Sequence, residues 1–125
     1  MSSPTQRTIA ELKKRGYMTA ITERWNPYAH IRQDLYGIID VLAVSPSLGT
    51  LGVQTTSTSN LSARVKKCRE SAEVGILLAA GWHIECWGWS KKGERGRRKV
   101  WTLREVDMAE TIRRTQGQAR PSCAK

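Results

Sequence analysis

At 125 residues, with 39% hydrophobic and 26% charged side chains, the chain has the length of one domain and enough apolar material for a core, which excludes a disordered polyampholyte. Its longest apolar stretch, Val74 to Trp82, falls far short of the roughly 20 residues of a membrane-spanning helix. A formal net charge of +10 and a pI of about 10.1 point to a polyanionic partner, nucleic acid first.

The chain opens without a basic-then-apolar leader, the pattern of an intracellular protein. Ser3-Pro4-Thr5-Gln6 is a helix start, with a capping serine, a proline suited to the first turn and a glutamine able to reach back. Helix one is expected from Pro4 to Arg15, ended by Gly16. Tyr17 to Trp25 reads as a strand, broken by Asn26-Pro27. Tyr28 to Leu35 is a polar connection that leads into Tyr36 to Val44, an apolar run of the kind found in strands buried on both faces. Ser45 to Gly49 turns the chain into a third strand, Thr50 to Thr56.

Asn60 is expected to cap a second helix carrying Leu61, Val65, Cys68 and Ala72 at helical spacing. Gly75 weakens or splits that helix and Gly81 ends it. Trp82 to Trp89 is a fourth strand, Lys91 to Lys99 a basic loop, and Val100 to Val106 a fifth strand. Asp107 to Thr115 forms a short closing helix, and residues 116–125 are expected to be a disordered tail. The whole is one domain over residues 1–115: an α/β (α+β) fold with a mixed central sheet flanked by helices.

Asp40 stands inside the most apolar stretch, where a carboxylate loses hydration and needs a cation or donors. Gln54 and Thr56 follow across the turn, project from one face of their strand, and approach Asp40 if the two strands are neighbours. Such an oxygen set suits a hard cation such as Mg²⁺ or Mn²⁺, which can polarise a phosphodiester and position a water. The plainer alternatives are a buried Asp40 satisfied by Arg32 or by backbone amides, and a Gln54 paired with a polar neighbour.

Gly37-Ile38-Ile39-Asp40-Val41-Leu42-Ala43 followed by Leu51-Gly52-Val53-Gln54-Thr55-Thr56, taken with the element order, resembles the PD-(D/E)XK nuclease superfamily, specifically its small phage and archaeal Holliday-junction-resolvase-like members. The resemblance covers about residues 5–90. It implies an αβββαβ restriction-endonuclease-like core, here with an extra C-terminal hairpin strand, and a Mg²⁺- or Mn²⁺-dependent DNA endonuclease that acts as a homodimer. It places Asp40 at the metal-binding aspartate, Gln54 where the family has Glu or less often Gln, Thr56 where it has lysine, and Glu11 at the acidic residue of the first helix. The Thr55 carbonyl joins the metal ligands by the same pattern. Gln54 removes one negative charge from that pattern and Thr56 removes its cation, for which Lys66 or Lys67 could substitute. Glu23 and Asp34 are rival third carboxylates, and Glu11 alternatively belongs to a solvated helical face. A nucleic-acid-binding protein that keeps the fold without hydrolysis is the alternative function.

Lys91, Lys92, Arg95, Arg97, Arg98 and Lys99 set six positive charges in nine residues, a loop fitted to phosphate contact. Arg64, Lys66, Lys67 and Arg69 form a second basic zone, and Asn60 is a donor at the start of its helix. Trp82, Trp87, Trp89 and Trp101 are either base-stacking platforms or, in a chain without phenylalanine, its aromatic core. Trp25 is the tryptophan expected to be exposed. Cys68, Cys86 and Cys123 form neither a disulfide framework nor a metal knuckle, and His83 with Cys86 makes at most half a zinc site.

Overall fold

A computed structural model of the protein describes residues 3–22, 24–93, 96 and 100–119. Helix α1 spans Pro4–Lys14, where Ser3 Oγ accepts the Gln6 N–H at 3.2 Å. It ends on Gly16 in the left-handed conformation, with Tyr17 N–H bonded to the Leu12 carbonyl and Gly16 N–H to that of Lys13, a pattern that satisfies the orphan carbonyls of the last turn.

Strand β1 (Met18–Ile21) follows. The extended segment is shorter than expected, because the chain then turns into a separate hairpin of β2 (Arg24–Asn26) and β3 (Ile31–Gln33), which occupies the region expected as a polar connection. Glu23 and the side chains of Trp25 and Arg32 lie outside the described residues. The second main strand, β4 (Val41–Ser45), also starts later than the apolar run suggests. Tyr36 and Gly37 take positive φ, and Gly37, Ile38 and Ile39 donate back to the carbonyls of Asp34 and Leu35, so residues 34–39 fold as a tight turn.

β5 (Gly49–Ser57) is followed by α2 (Thr58–Arg69), α3 (Ala72–Ala79), β6 (His83–Lys92), β7 (Val100–Asp107) and α4 (Met108–Ala119). The residue capping α2 is Ser57, and Asn60 sits exposed in its first turn. The helical segment divides at Glu70-Ser71, and Gly75 lies within α3. Helix α4 takes in residues 116–119, which were expected in the tail, while 120–125 lie outside the described residues.

The sheet order is β1-β4-β5-β6-β7, antiparallel throughout except for the parallel pair β5/β6, which α2 and α3 connect. The fold is therefore α+β, with a five-stranded mixed open sheet between helices. Alternation of side chains separates two cores. Val41, Ala43, Leu51, Val53, Trp87 and Trp89 pack with Leu12 of α1 on one face. On the other, Ile84 and Cys86 meet Leu61, Cys68, Val74, Leu77 and Met108 of α2, α3 and α4. Trp87 and Trp89 are core residues, and Trp82 and Trp101 are half-buried against the two clusters. No helix among the described residues is long and apolar enough to cross a membrane.

Candidate functional site

β4 pairs with β5 only as far as Val41 opposite Val53, while β5 runs on to Ser57. Asp40 N–H extends the ladder by one bond, to the Val53 carbonyl at 2.9 Å. Beyond it the Asp40 side chain takes over the place of the missing strand. Oδ2 accepts the Thr55 backbone N–H at 3.0 Å and the Gln54 Nε2–H at 2.7 Å. Asp40 and Gln54 thus meet on the face toward α2, both almost fully buried.

The turn at 34–39 adds a third member. Leu35 and Ile39 exchange both backbone hydrogen bonds, each 3.0 Å, as an antiparallel bridge. In such a pair the flanking residues, Asp34 and Asp40, come opposite each other. Their carboxyls are within hydrogen-bonding reach. Burial first, then the bond to Asp34 and its charge, push the Asp40 carboxyl up to about 7, against the opposing pull of the Thr55 N–H and the Gln54 amide.

The Gln54 amide is oriented nitrogen-first toward Asp40, which leaves Oε1 buried and without a hydrogen-bond partner. Thr55 N–H faces Asp40, and because a strand residue directs its N–H and C=O to the same edge, its carbonyl faces that edge as well. Its hydroxyl belongs to the opposite face, 2.9 Å from Thr8 Oγ1, which also accepts the Trp89 indole N–H at 2.9 Å. Thr56 is buried and brings no charge.

Lys67 lines a hollow of about 490 Å³ with Gln33, Asp34, Tyr36 and Gly37. Lys66, one residue earlier, points to a different hollow on the far side of α2. The two candidate lysines are therefore separated, and Lys67 is the one brought beside the carboxyl pair. Arg64 is half-buried on the same helix. Beneath the site, Cys86 Sγ lies 3.5 Å from Cys68 Sγ and 3.9 Å from Met108 Sδ. The bond to Cys68 and burial push the Cys86 thiol up.

Glu11 is not brought to Asp40. It lies on α1, across the sheet, and its Oε2 accepts Arg15 Nε at 2.9 Å; Arg15 in turn holds Glu105 with both terminal nitrogens and lies 4.8 Å from the Trp87 ring centre. The acidic side chain that the structure sets beside Asp40 is Asp34. Its carboxyl was a sequence candidate, but the turn that delivers it was hidden inside an apolar run. His83 is exposed while Cys86 is fully buried, so they do not form a zinc pair.

The oxygen donors around Asp40 fit a hard divalent cation: two carboxyls and an amide oxygen that nothing else satisfies. Among the described residues no three His, Cys, Asp or Glu side chains gather as a metal site; the further oxygen near Asp40 is Gln54 Oε1, whose amide nitrogen is the atom turned to the carboxyl. Of the basic segment, Lys91 and Lys92 are exposed at the end of β6, with Lys91 Nζ 5.3 Å from the Trp101 ring centre. Arg95, Arg97, Arg98 and Lys99 lie outside the described residues. Comparison of the chain with known protein families, with curated proteins and with solved structures gives no match.

Proposed function

We propose that this protein is a metal-dependent DNA endonuclease of the PD-(D/E)XK, resolvase-like kind, with Asp40 at its centre. The observation that carries the reading is the buried Asp40 carboxyl, with half-buried Asp34 beside it and the Gln54 Oε1 without a hydrogen-bond partner among the described residues. Two like-charged groups and an unsatisfied oxygen gathered in one place cost stability unless a cation binds there. Asp40, Asp34 and Gln54 would hold Mg²⁺ or Mn²⁺, with the Thr55 carbonyl at the edge. The ion would supply polarisation of the phosphodiester and a more acidic water.

The chain's own residues do the rest. The Thr55 N–H and the Gln54 amide fix the Asp40 carboxylate in orientation. Lys67, at the mouth of the Asp34 hollow, supplies the positive charge that Thr56 lacks and offsets negative charge developing on the phosphate. Lys91 and Lys92, with the basic loop that follows, grip the backbone. A homodimer is the assembly that the resemblance implies.

A second reading, DNA binding without hydrolysis, is favoured by Thr56, a buried neutral side chain where the family pattern has an ammonium group. The deciding experiment is Mg²⁺- or Mn²⁺-dependent nicking of supercoiled and branched DNA by the wild type and by Asp40→Asn. Hydrolysis is expected from the wild type alone. Tight binding with no nicking by either metal overturns the enzyme reading in favour of the second.

A further inference from the structure

The far side of α2 presents a separate surface. A hollow of about 770 Å³ lies between α2, β7 and α4, floored by Leu61, Val65 and Val106 and walled by polar and cationic side chains. Thr58, Ser62, Lys66 and Arg69 follow one another along α2, Arg104 faces them from β7, and Thr111 closes the side at α4. Among the described residues no carboxylate lines it. Lys66, Arg69 and Arg104 are exposed, and none forms a salt bridge among the described residues. Unlike Arg15, which is held by two glutamates, these three cations have no carboxylate partner among the described residues.

We infer that this groove binds one strand of a DNA phosphodiester backbone. The donors do not converge on a point, as a free phosphate would require. They spread from Thr58 to Arg69, eleven residues of helix or about 16 Å at the α-helical rise, a length that serves successive phosphates of a strand rather than one. Two hydroxyls followed by two cations along α2 suit phosphate oxygens, which accept from both. The inference does not rest on the hydrolytic reading, since neither Asp40 nor Asp34 belongs to the groove.

The test compares two equally charged pairs of substitutions, Arg69→Gln with Arg104→Gln in the groove, and Lys13→Gln with Lys14→Gln at the exposed end of α1 on the other face of the sheet. Binding of a fluorescent oligonucleotide, single-stranded and duplex, is measured by anisotropy across a salt series in the presence of a chelator. The groove pair is expected to lose roughly tenfold in affinity at low salt and to flatten the duplex log–log salt slope by about 1.8. The α1 pair should change little. Equal losses in both pairs would reduce the effect to bulk charge and overturn the inference, as would an unchanged groove pair with a native melting profile. Competition by poly-glutamate or by anionic vesicles as effective as DNA at matched charge would also overturn it, since the site would then not select a nucleic-acid backbone.

Discussion

The side-chain amide of Gln54 gives its nitrogen to Asp40 at 2.7 Å and keeps its oxygen buried without a partner. A carboxylate neighbour demands this orientation, and the resulting orphan oxygen costs on the order of 1–3 kcal/mol. Turning the amide over would aim the oxygen at Asp40, a repulsive arrangement unless a cation lies between them.

Gln54→Glu should therefore destabilise the metal-free protein by about 1–3 kcal/mol, because a third carboxyl replaces the donor that steadies Asp40. Millimolar Mn²⁺ should restore much of the loss and raise the melting temperature of the variant more than that of the wild type. Thermal melts with and without the ion check this, and identical curves for both proteins would remove the metal centre.

Asp40 also sets a pH dependence. Its carboxyl is raised from an ordinary value of 3.8 to about 7, so between these values the folded protein retains a proton that the unfolded chain has released. Stability then falls as pH rises through this window and levels off above it. Asp40→Asn keeps an oxygen acceptor for Gln54 and Thr55 and abolishes the titration. At about pH 8 the variant should be more stable than the wild type by roughly 1–3 kcal/mol, with the two converging near pH 4. Urea denaturation across that range measures the difference, and metal affinity of the wild type should climb over the same window.

On the opposite face, Thr8 joins Thr55 and the Trp89 indole, binding α1 to β5 and β6. Thr8→Val preserves shape and removes the hydroxyl, leaving a buried indole N–H and the Thr55 hydroxyl without partners. A loss of about 1–3 kcal/mol is expected in chemical denaturation. Thr8→Ser should restore most of it.

At Gly88 the start of α2 lies close against β6. A methyl group there would lie 3.1 Å from the Thr58 Cα and 3.1 Å from Leu61 Cδ2. The Thr58 backbone cannot rotate aside as a side chain can, so Gly88→Ala should push the start of α2 outward and cost about 1–3 kcal/mol in denaturation. Gly75→Ala, with nothing within 4 Å of the added carbon, should be stabilising by about 1 kcal/mol, as is usual within a helix.

Local signals carried much of this fold. Ser3, Pro4 and Gly16 announce α1 because capping is chemistry between near neighbours in sequence, and Gly81 announces the end of α3 for the same reason. The meeting of Asp40 with Gln54 was also legible, since strand alternation and a short turn leave few other arrangements. The turn at Asp34 to Ile39 was not: Tyr36 adopts a positive φ that its side chain disfavours, and the hydrophobicity of Ile38 and Ile39 serves the α2 core rather than a strand. Glu11 was misplaced because helical spacing does not say which side of a sheet the helix covers. The groove at Arg104 depends on β7 lying across from α2, a relation between residues far apart in the chain.

β4 stops short of its neighbour, and the last residues of β5 keep one margin of main chain that no strand covers. Asp40 seals only the first part of that opening, with a single carboxylate oxygen standing in for a peptide carbonyl. Substitutions that spare every polar side chain but lengthen β4 by two residues would therefore let peptide groups take over the place that Asp40 fills.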